Sequence, residues 1–251
     1  MFGKFNFFTF LKILFRLIVT LVVIAVFAIF GWRFITGIVP GELEVLTPNE
    51  ALLKAYEEKG ESLVLYTQSQ NSITRAEDSY GYFASCQVIF IPEAEQVQLL
   101  IRYNDSTLEA TERDYELPEG SLDPEKDWYD VTLVVSRDLT PENDEDNLGN
   151  DPACVSFTRV YPTEVSERLH KGLYNYRRFV FDGVTMDDLT NAVYVDFYFV
   201  EDMFYLGEEF DVYNDRAYAT LCLYAFTEKK EMLSLTDEDI LALEEFQRTE
   251  K

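Results

Sequence analysis

An uncharged apolar run, residues 17–32, is the feature that most constrains this chain. Its 16 residues fall short of the roughly 20 that cross the hydrocarbon core of a bilayer. Apolar residues flank the run, and Arg16 and Arg33 can hold their charges at the interfaces while their aliphatic stems lie in lipid. Pro40 then ends the helical pattern. We therefore predict a transmembrane signal-anchor helix over residues 17–38.

Positive charge on the N-terminal flank sets the predicted orientation. Residues 1–16 carry Lys4, Lys12 and Arg16 and no acidic residue, and short positively charged flanks stay cytoplasmic. We expect a single-pass protein of the cell membrane with a cytoplasmic N-terminus and an extracytoplasmic C-terminal domain. A buried core helix would show a polar face, which this run lacks. A cleaved signal peptide with a weak site at 26–28 is the other alternative, although the apolar run continues past it.

The part of the chain that follows is strongly acidic. Residues 1–40 hold four of the 21 Lys and Arg residues and none of the 46 Asp and Glu residues, so residues 41–251 carry a formal charge of −29. Such a surface repels nucleic acid, and we expect no nucleic-acid partner. We do not expect disorder, because 20 Phe and 16 Tyr residues supply material for a core.

Beyond residue 61 the apolar pattern has a period of two, which is typical of β-strands. The clearest case is 96–103, where Val97, Leu99, Ile101 and Tyr103 lie on one face and Gln96, Gln98 and Arg102 on the other. Predicted strands cover 62–68, 83–91, 96–103, 128–136, 154–161, 174–181, 192–200, 204–212 and 217–226, with weaker strands in 107–117 and a helical turn in 162–171. We predict a mainly β protein with one antiparallel β-sandwich-like domain. Two small sandwiches split near residue 150 are the alternative.

Short helices are predicted on both sides of the strands. Thr47-Pro-Asn-Glu50 has the form of a capping box, and Gly60 is placed as a stop, which predicts a helix at about 48–59. Ser234 begins the capping signal of a C-terminal helix. The predicted organisation is a cytoplasmic segment 1–16, a membrane helix 17–38, a juxtamembrane tether and helix 39–60, a β-sandwich domain 61–230 and a C-terminal helix 231–251.

Patterns for catalysis and metal binding are sparse. His170 is the only histidine and is expected to be solvated, so histidine-rich zinc sites are excluded. The chain has no Gly-x-Ser-x-Gly motif and no Gly-rich phosphate loop. We predict no catalytic residue, no cofactor and no metal ligand. An irregular, weak calcium site in the acidic loop 143–151 is an alternative, although that loop lacks EF-hand spacing.

The three cysteines are interpreted as buried thiols rather than as a disulfide framework. Cys86, Cys154 and Cys222 lie in strand-like runs, and none forms a Cys-x-x-Cys pair. Cys86 alternates in phase with apolar neighbours, which favours a packing role. Asn104-Asp-Ser106 matches a glycosylation acceptor, but the same residues make a good turn, and we prefer the turn.

One predicted strand, 192–200, provides a candidate ligand surface. Tyr194, Asp196 and Tyr198 alternate on one face of it, so that a carboxylate lies between two phenols. Tyrosine gives broad contact area, and an acid between rings can orient a hydroxyl or an ammonium group. We expect Tyr218, Thr220 and Tyr224 of a later strand to lie beside this set. The alternatives are that the rings lie under the C-terminal helix or cover an otherwise bare sheet.

These observations predict a membrane-anchored binding or interaction module for a protein or glycan partner. The membrane is contacted through the N-terminal helix, and the sequence does not define an oligomeric state. A hydrolase that uses a pair of carboxylates needs no motif and is one alternative. An accessory subunit of a membrane complex is the other, although the apolar run lacks a Gly-x-x-x-Gly pattern for helix packing.

Overall fold

The fold is taken from a computed structural model that describes residues 7–37, 41–68, 73–75, 82–138, 155–172, 174–190, 193–199, 217–223 and 230–249. The chain divides into two compact units, Met1–Pro40 and Gly41–Lys251, each of which makes most of its contacts within itself. The strand predicted at 204–212 and the acidic loop 143–151 lie outside the described residues, as do Cys154 and Tyr224. The predicted division into five segments stays a prediction.

The first unit is a single helix, α1, over Phe7–Gly37. At 1.5 Å per residue its 31 residues extend about 46 Å, more than the hydrocarbon thickness of a bilayer. None of the side chains in its most apolar stretch, Lys12–Ile29, is buried. By length and composition α1 is able to cross a membrane. This supports the predicted apolar helix.

The second unit contains two antiparallel sheets. Sheet A has the strand order β12-β1-β3-β4-β9-β7, with β2 pairing to β3 and β8 pairing to β9. Its strands are β1 Leu65–Gln68, β2 Ile73–Arg75, β3 Tyr82–Ile91, β4 Gln96–Asn104, β7 Glu164–Val165, β8 Leu169–Lys171, β9 Tyr174–Asp182 and β12 Lys230–Leu233. Sheet B has the order β11-β10-β5-β6. Its strands are β5 Tyr129–Asp138, β6 Val155–Val160, β10 Val193–Phe199 and β11 Ala219–Leu223.

One cluster of buried side chains takes its members from both sheets. The members on sheet A are Phe83, Val88, Phe90, Val97, Leu99, Ile101, Tyr103, Phe179 and Phe181, and those on sheet B are Tyr129, Val131, Leu133, Val135, Val193, Val195, Phe197, Phe199, Ala219, Leu221 and Leu223. Because side chains alternate along a strand, each sheet contributes one face to this core. The cluster includes a stacked pair, Phe83 and Phe197, with ring centroids 4.1 Å apart.

Two helices cover the other face of sheet A. Helix α2 spans Glu50–Lys59 and helix α4 spans Asp237–Thr249. Their buried side chains pack with sheet A in a second cluster of Leu46, Leu52, Ala55, Leu63, Leu65, Ile89, Ile91 and Leu243. The predicted C-terminal helix is therefore present, and it lies on sheet A rather than over Tyr194 on sheet B.

The segment that precedes α2, residues 43–49, is bound to sheet A and α4 through its backbone, and we call it the tether segment. Arg178 donates to the carbonyl of Leu43, and Asp239 accepts from the Leu46 amide at 2.7 Å. The Gln98 amide side chain accepts from the Thr47 amide at 2.9 Å and donates to the Thr47 carbonyl at 2.8 Å. Buried backbone groups need such partners, so these bonds fix the path of the chain.

Several predictions about elements are corrected by the structure. Residues predicted as weak strands form helix α3, Asp105–Asp114, whose buried side includes Leu108 and Thr111. Helix α2 begins two residues later than predicted, because Asn49 rather than Thr47 is its N-cap and accepts from the Leu52 amide. Gly60 ends α2 as predicted, with φ of 60°. Residues 162–171 form the short strands β7 and β8 instead of a helical turn.

The predicted antiparallel pairing of strands is confirmed. The secondary structure, however, is a mixture of α-helices and β-strands rather than mainly β. Four α-helices accompany the strands within the described residues. Three shorter 3-10 turns also occur beside sheet A, at Gly41–Leu43, Gly60–Ser62 and Pro92–Ala94, and a fourth lies at Asp187–Leu189. The sequence did not reveal α3, because its polar residues follow a strand without a Gly or Pro break.

Candidate ligand surface and the mouth of the core

The predicted ligand surface lies on the side of sheet B that faces away from the core, and we call it the sheet-B face. Tyr194 pairs with Val134 on β5, and Val134 pairs with Arg159 on β6, so these three side chains form one row across the sheet. Asp196 pairs with Thr132 and Thr220 in the next row. Paired residues of antiparallel strands place their side chains on the same side.

Asp196 is the buried polar centre of the sheet-B face. Only 9% of it is exposed, and its carboxylate accepts from the Thr220 hydroxyl at 2.7 Å and from the Tyr198 hydroxyl at 3.4 Å. A buried carboxylate is tolerated when it is hydrogen-bonded. Burial raises the pKa of Tyr198, and the neighbouring Asp196 charge adds to that rise, so the phenol remains a hydrogen-bond donor at pH 7.

The three predicted residues share one side of the strand but differ in accessibility. Tyr194 is 37% exposed, whereas Tyr198 is only 3% exposed. Thr220 lies beside Asp196 as expected. Tyr218 does not join them, because its ring packs against the core and its hydroxyl donates to Asp114 at 2.8 Å. The sheet-B face thus offers Tyr194 and Thr220 at its surface, with the carboxylate beneath.

Strand β6 adds exposed aromatic rings to this face, and its sequence pattern alone did not predict their exposure. Phe157 pairs with Ser136 and is 64% exposed, and Tyr161, which continues the same alternation just after β6, is 52% exposed. The alternation was visible in the sequence, but hydrophobicity alone would have placed Phe157 in the core. In the structure the core side of β6 carries Val160 instead.

A polar cluster closes one end of the core between the sheets. Arg177 and Arg168 both approach the carboxylate of Asp127, with N–O distances of 3.3 and 3.9 Å. The Asn175 side-chain oxygen accepts from Arg168 at 2.7 Å and lies 3.1 Å from Nδ1 of His170. His170 is exposed, as predicted.

Behind this cluster lies a small cavity with mostly aromatic walls, including Tyr103 and Trp128. Its volume of about 10 Å³ corresponds to one water molecule. Burial raises the pKa of Tyr103 to about 12, and Asp127 adds to the rise, so this phenol is not a base at pH 7. In this conformation the cavity has no room for a sugar ring or another organic substrate.

The cysteine predictions are partly wrong. Cys222 pairs with Tyr194 on the sheet-B face and is exposed. Cys86 is partly buried, but it is the extra residue of a β-bulge between Ser85 and Gln87. A bulge breaks the period of two, so the alternation that predicted a core position does not hold there. Burial raises the pKa of the Cys86 thiol to about 11, an effect that Arg102 partly offsets.

Metal-binding side chains do not converge anywhere in the described parts of the chain, where no group of three His, Cys, Asp or Glu residues has suitable geometry. The Asn104 side chain is part of the start of α3, because its oxygen accepts from the Thr107 hydroxyl at 2.9 Å. Comparisons with known protein families, with curated proteins and with solved structures found no match. The function must therefore be argued from the site itself.

Proposed function

We propose that this chain is a single-pass membrane protein whose N-terminus is cytoplasmic and whose β-rich unit is an extracytoplasmic binding module. Helix α1 supports the membrane part, because no side chain of its apolar stretch Lys12–Ile29 is buried inside the molecule. Three positive charges and no acid before residue 17 support the orientation. The core shared by the two sheets supports a β-sandwich architecture.

The observation that carries the binding role is the set of exposed rings on the sheet-B face. Phe157, Tyr161 and Tyr194 leave between about a third and two thirds of their surface in solvent, although each lies in or beside a strand. Exposed aromatic groups on a sheet lose favourable burial, and they are enriched where a partner later covers them. The partner class that fits such a surface is a protein or a glycan.

The end of the core beside Asp127 does not have the geometry of a carboxylate-pair hydrolase. Such a hydrolase needs two carboxyl groups on either side of a cleft that admits a sugar ring. The cavity beside Asp127 holds about one water molecule, and both arginines there engage this carboxylate. These contacts favour a closed structural end rather than an active site.

A retention experiment tests the binding role. Full-length protein in detergent is immobilised and incubated with extracytoplasmic extract of the source cells and with solubilised surface polymers. We expect the wild type to retain a component that the double variant Phe157→Ala, Tyr194→Ala loses. Met232→Ala is the matched control, because Met232 is 71% exposed but lies on sheet A. Equal retention by all three proteins would show that the sheet-B face is not the binding surface.

A further inference from the structure

Strand β6 is an open edge of sheet B. It stands last in the order β11-β10-β5-β6 and pairs with β5 at six consecutive positions without a bulge. Among the described strands β5 is its only partner. About half of its backbone N–H and C=O groups therefore point away from β5, and a further strand can pair with them.

The other sheet edges in the described part of the chain are short, charged or covered. Strands β7 and β8 have two and three residues, and β12 has four residues, two of which are charged. Strand β11 lies against β2 of sheet A. Proteins commonly protect their sheet edges from further pairing in these ways. Strand β6 has six residues, and its one charged side chain is Arg159, so this edge has the least protection.

Exposed apolar side chains gather along the same edge. The described part of residues 41–251 has seven large exposed apolar side chains, and three of them, Phe157, Tyr161 and Val165, lie within nine residues in and after β6. Residues 152–163 contain Arg159 and no acid, whereas residues 41–251 carry −29 in total. Two copies of so acidic a unit repel each other least where acids are absent. The β6 edge is therefore a surface on which two copies can meet.

We propose that β6 pairs antiparallel with β6 of a second copy of this chain, about a two-fold axis at Thr158. In this register odd-numbered residues lie opposite odd-numbered residues, so each side of the sheet continues into the second copy. Phe157 of each copy lies opposite Arg159 of the other, and the two Thr158 residues lie opposite each other. An arginine beside an aromatic ring and a pair of threonines are favourable cross-strand neighbours. Pairing about Arg159 would instead put two guanidinium groups opposite each other.

This contact is self-complementary, as a two-fold interface requires, and it removes the open edge of both copies. The two copies of sheet B become one sheet with eight described strands. Their sheet-B faces then form one surface. The inference goes beyond the proposed binding function and does not depend on it. A strand of a different protein is the competing occupant of the edge.

Disulfide cross-linking of full-length protein in its native membrane tests the pairing. Opposite Cα atoms of paired strands are about 4.5–5.5 Å apart, a distance that a disulfide spans. With Cys154→Ser and Cys222→Ser as the background, we expect Thr158→Cys to give a covalent dimer under mild oxidation. Met232→Cys is the matched control, because Met232 is exposed on the edge strand β12 and should stay monomeric.

A charge-swap experiment tests the same contact without a covalent bond. Thr158→Glu and Thr158→Lys each put two like charges opposite each other at the two-fold axis. We expect each variant to raise the dimer dissociation constant about tenfold in detergent, as measured by sedimentation equilibrium. An equal mixture of the two variants should dimerise again, because Glu then lies opposite Lys. Unchanged thermal unfolding of each variant shows that its fold is intact.

Two results overturn the proposal. One is a Thr158→Cys variant that cross-links no more than Met232→Cys, which is also the result expected if the edge binds a different protein. The other is a dimer that both charged variants leave unchanged, because it then forms through another surface. If the charged variants do not fold, the cross-link alone decides. A monomeric chain that still retains a component on the sheet-B face would refute the dimer and leave the binding function standing, and a dimer that retains nothing would do the reverse.

Discussion

Arg178 illustrates how a charged side chain is kept in the interior of this unit. Only 1% of it is exposed, and it donates to the Leu43 carbonyl and, at 2.9 Å, to the side-chain oxygen of Gln87. Burial lowers its pKa to about 10, with Asp239 acting the other way, so the guanidinium remains charged at pH 7. Each bond to such a group contributes about 1.5–3 kcal/mol, and removing Arg178 would leave buried acceptors unsatisfied.

The two described cysteines should differ sharply in reactivity. At pH 8 a thiol with a pKa of about 11 is about one part in a thousand thiolate, which is the reactive form. We therefore expect iodoacetamide to label exposed Cys222 within minutes and Cys86 only after denaturation. A timed pulse followed by peptide mass spectrometry measures both in one sample. Equal labelling of the two in the folded protein would contradict the burial of Cys86.

At the scale of elements, helix α4 holds the tether segment through its first turn. Asp239 accepts from the Thr236 amide at 2.9 Å and from the Thr236 hydroxyl at 2.7 Å, which caps the helix. Its other oxygen accepts from the Leu46 amide. One buried carboxylate therefore fixes both the start of α4 and the path of the chain before α2.

Replacing this carboxylate should loosen two segments at once. Asp239→Ala leaves the Thr236 and Leu46 amides without their partner, and we expect a loss of about 2–4 kcal/mol in the free energy of unfolding. Asp237→Ala, in the same turn but exposed, should cost under about 1 kcal/mol. Urea titration gives the energies, and amide hydrogen exchange should rise within residues 43–49 only in the first variant. Equal losses of unfolding free energy in the two variants would refute the proposal that Asp239 fixes both α4 and the tether segment.

The elements that the sequence predicted well are those whose pattern is local. Strand β4 was predicted to within one residue, because apolar side chains recur at every second position from Val97 to Tyr103 and face the core. The sequence pattern gave wrong predictions where tertiary contacts determine the local structure. A bulge at Cys86, a helix after Asn104 and an outward Phe157 each depend on partners far away in the sequence. The alternation of strand β10 predicted that Tyr194, Asp196 and Tyr198 share one side of the sheet, but it did not predict that Asp196 and Tyr198 are buried. The binding role of this surface stays a prediction.

At the scale of the whole molecule, orientation in the membrane is the prediction with the widest consequences. Positive residues before the apolar run, and the absence of acids there, predict a cytoplasmic N-terminus. Protease added to intact cells or spheroplasts should degrade residues 41–251 and leave a tag at the N-terminus intact. After permeabilisation the tag should be lost as well. If residues 41–251 resist protease until the cells are permeabilised, the orientation is the opposite of the one predicted.

The pairing of β1 with β12 has a consequence for the timing of synthesis. Leu65 lies opposite Leu233, so the edge of sheet A is completed by residues made 168 positions later. At roughly 5–20 residues per second, the earlier strand waits about 10 to 30 s for its neighbour. During this interval the apolar side of β1 and its unpaired backbone are open to wrong partners. A chaperone on the side of the membrane where the chain emerges would therefore raise the yield of folded protein, and truncation before residue 230 should yield aggregates.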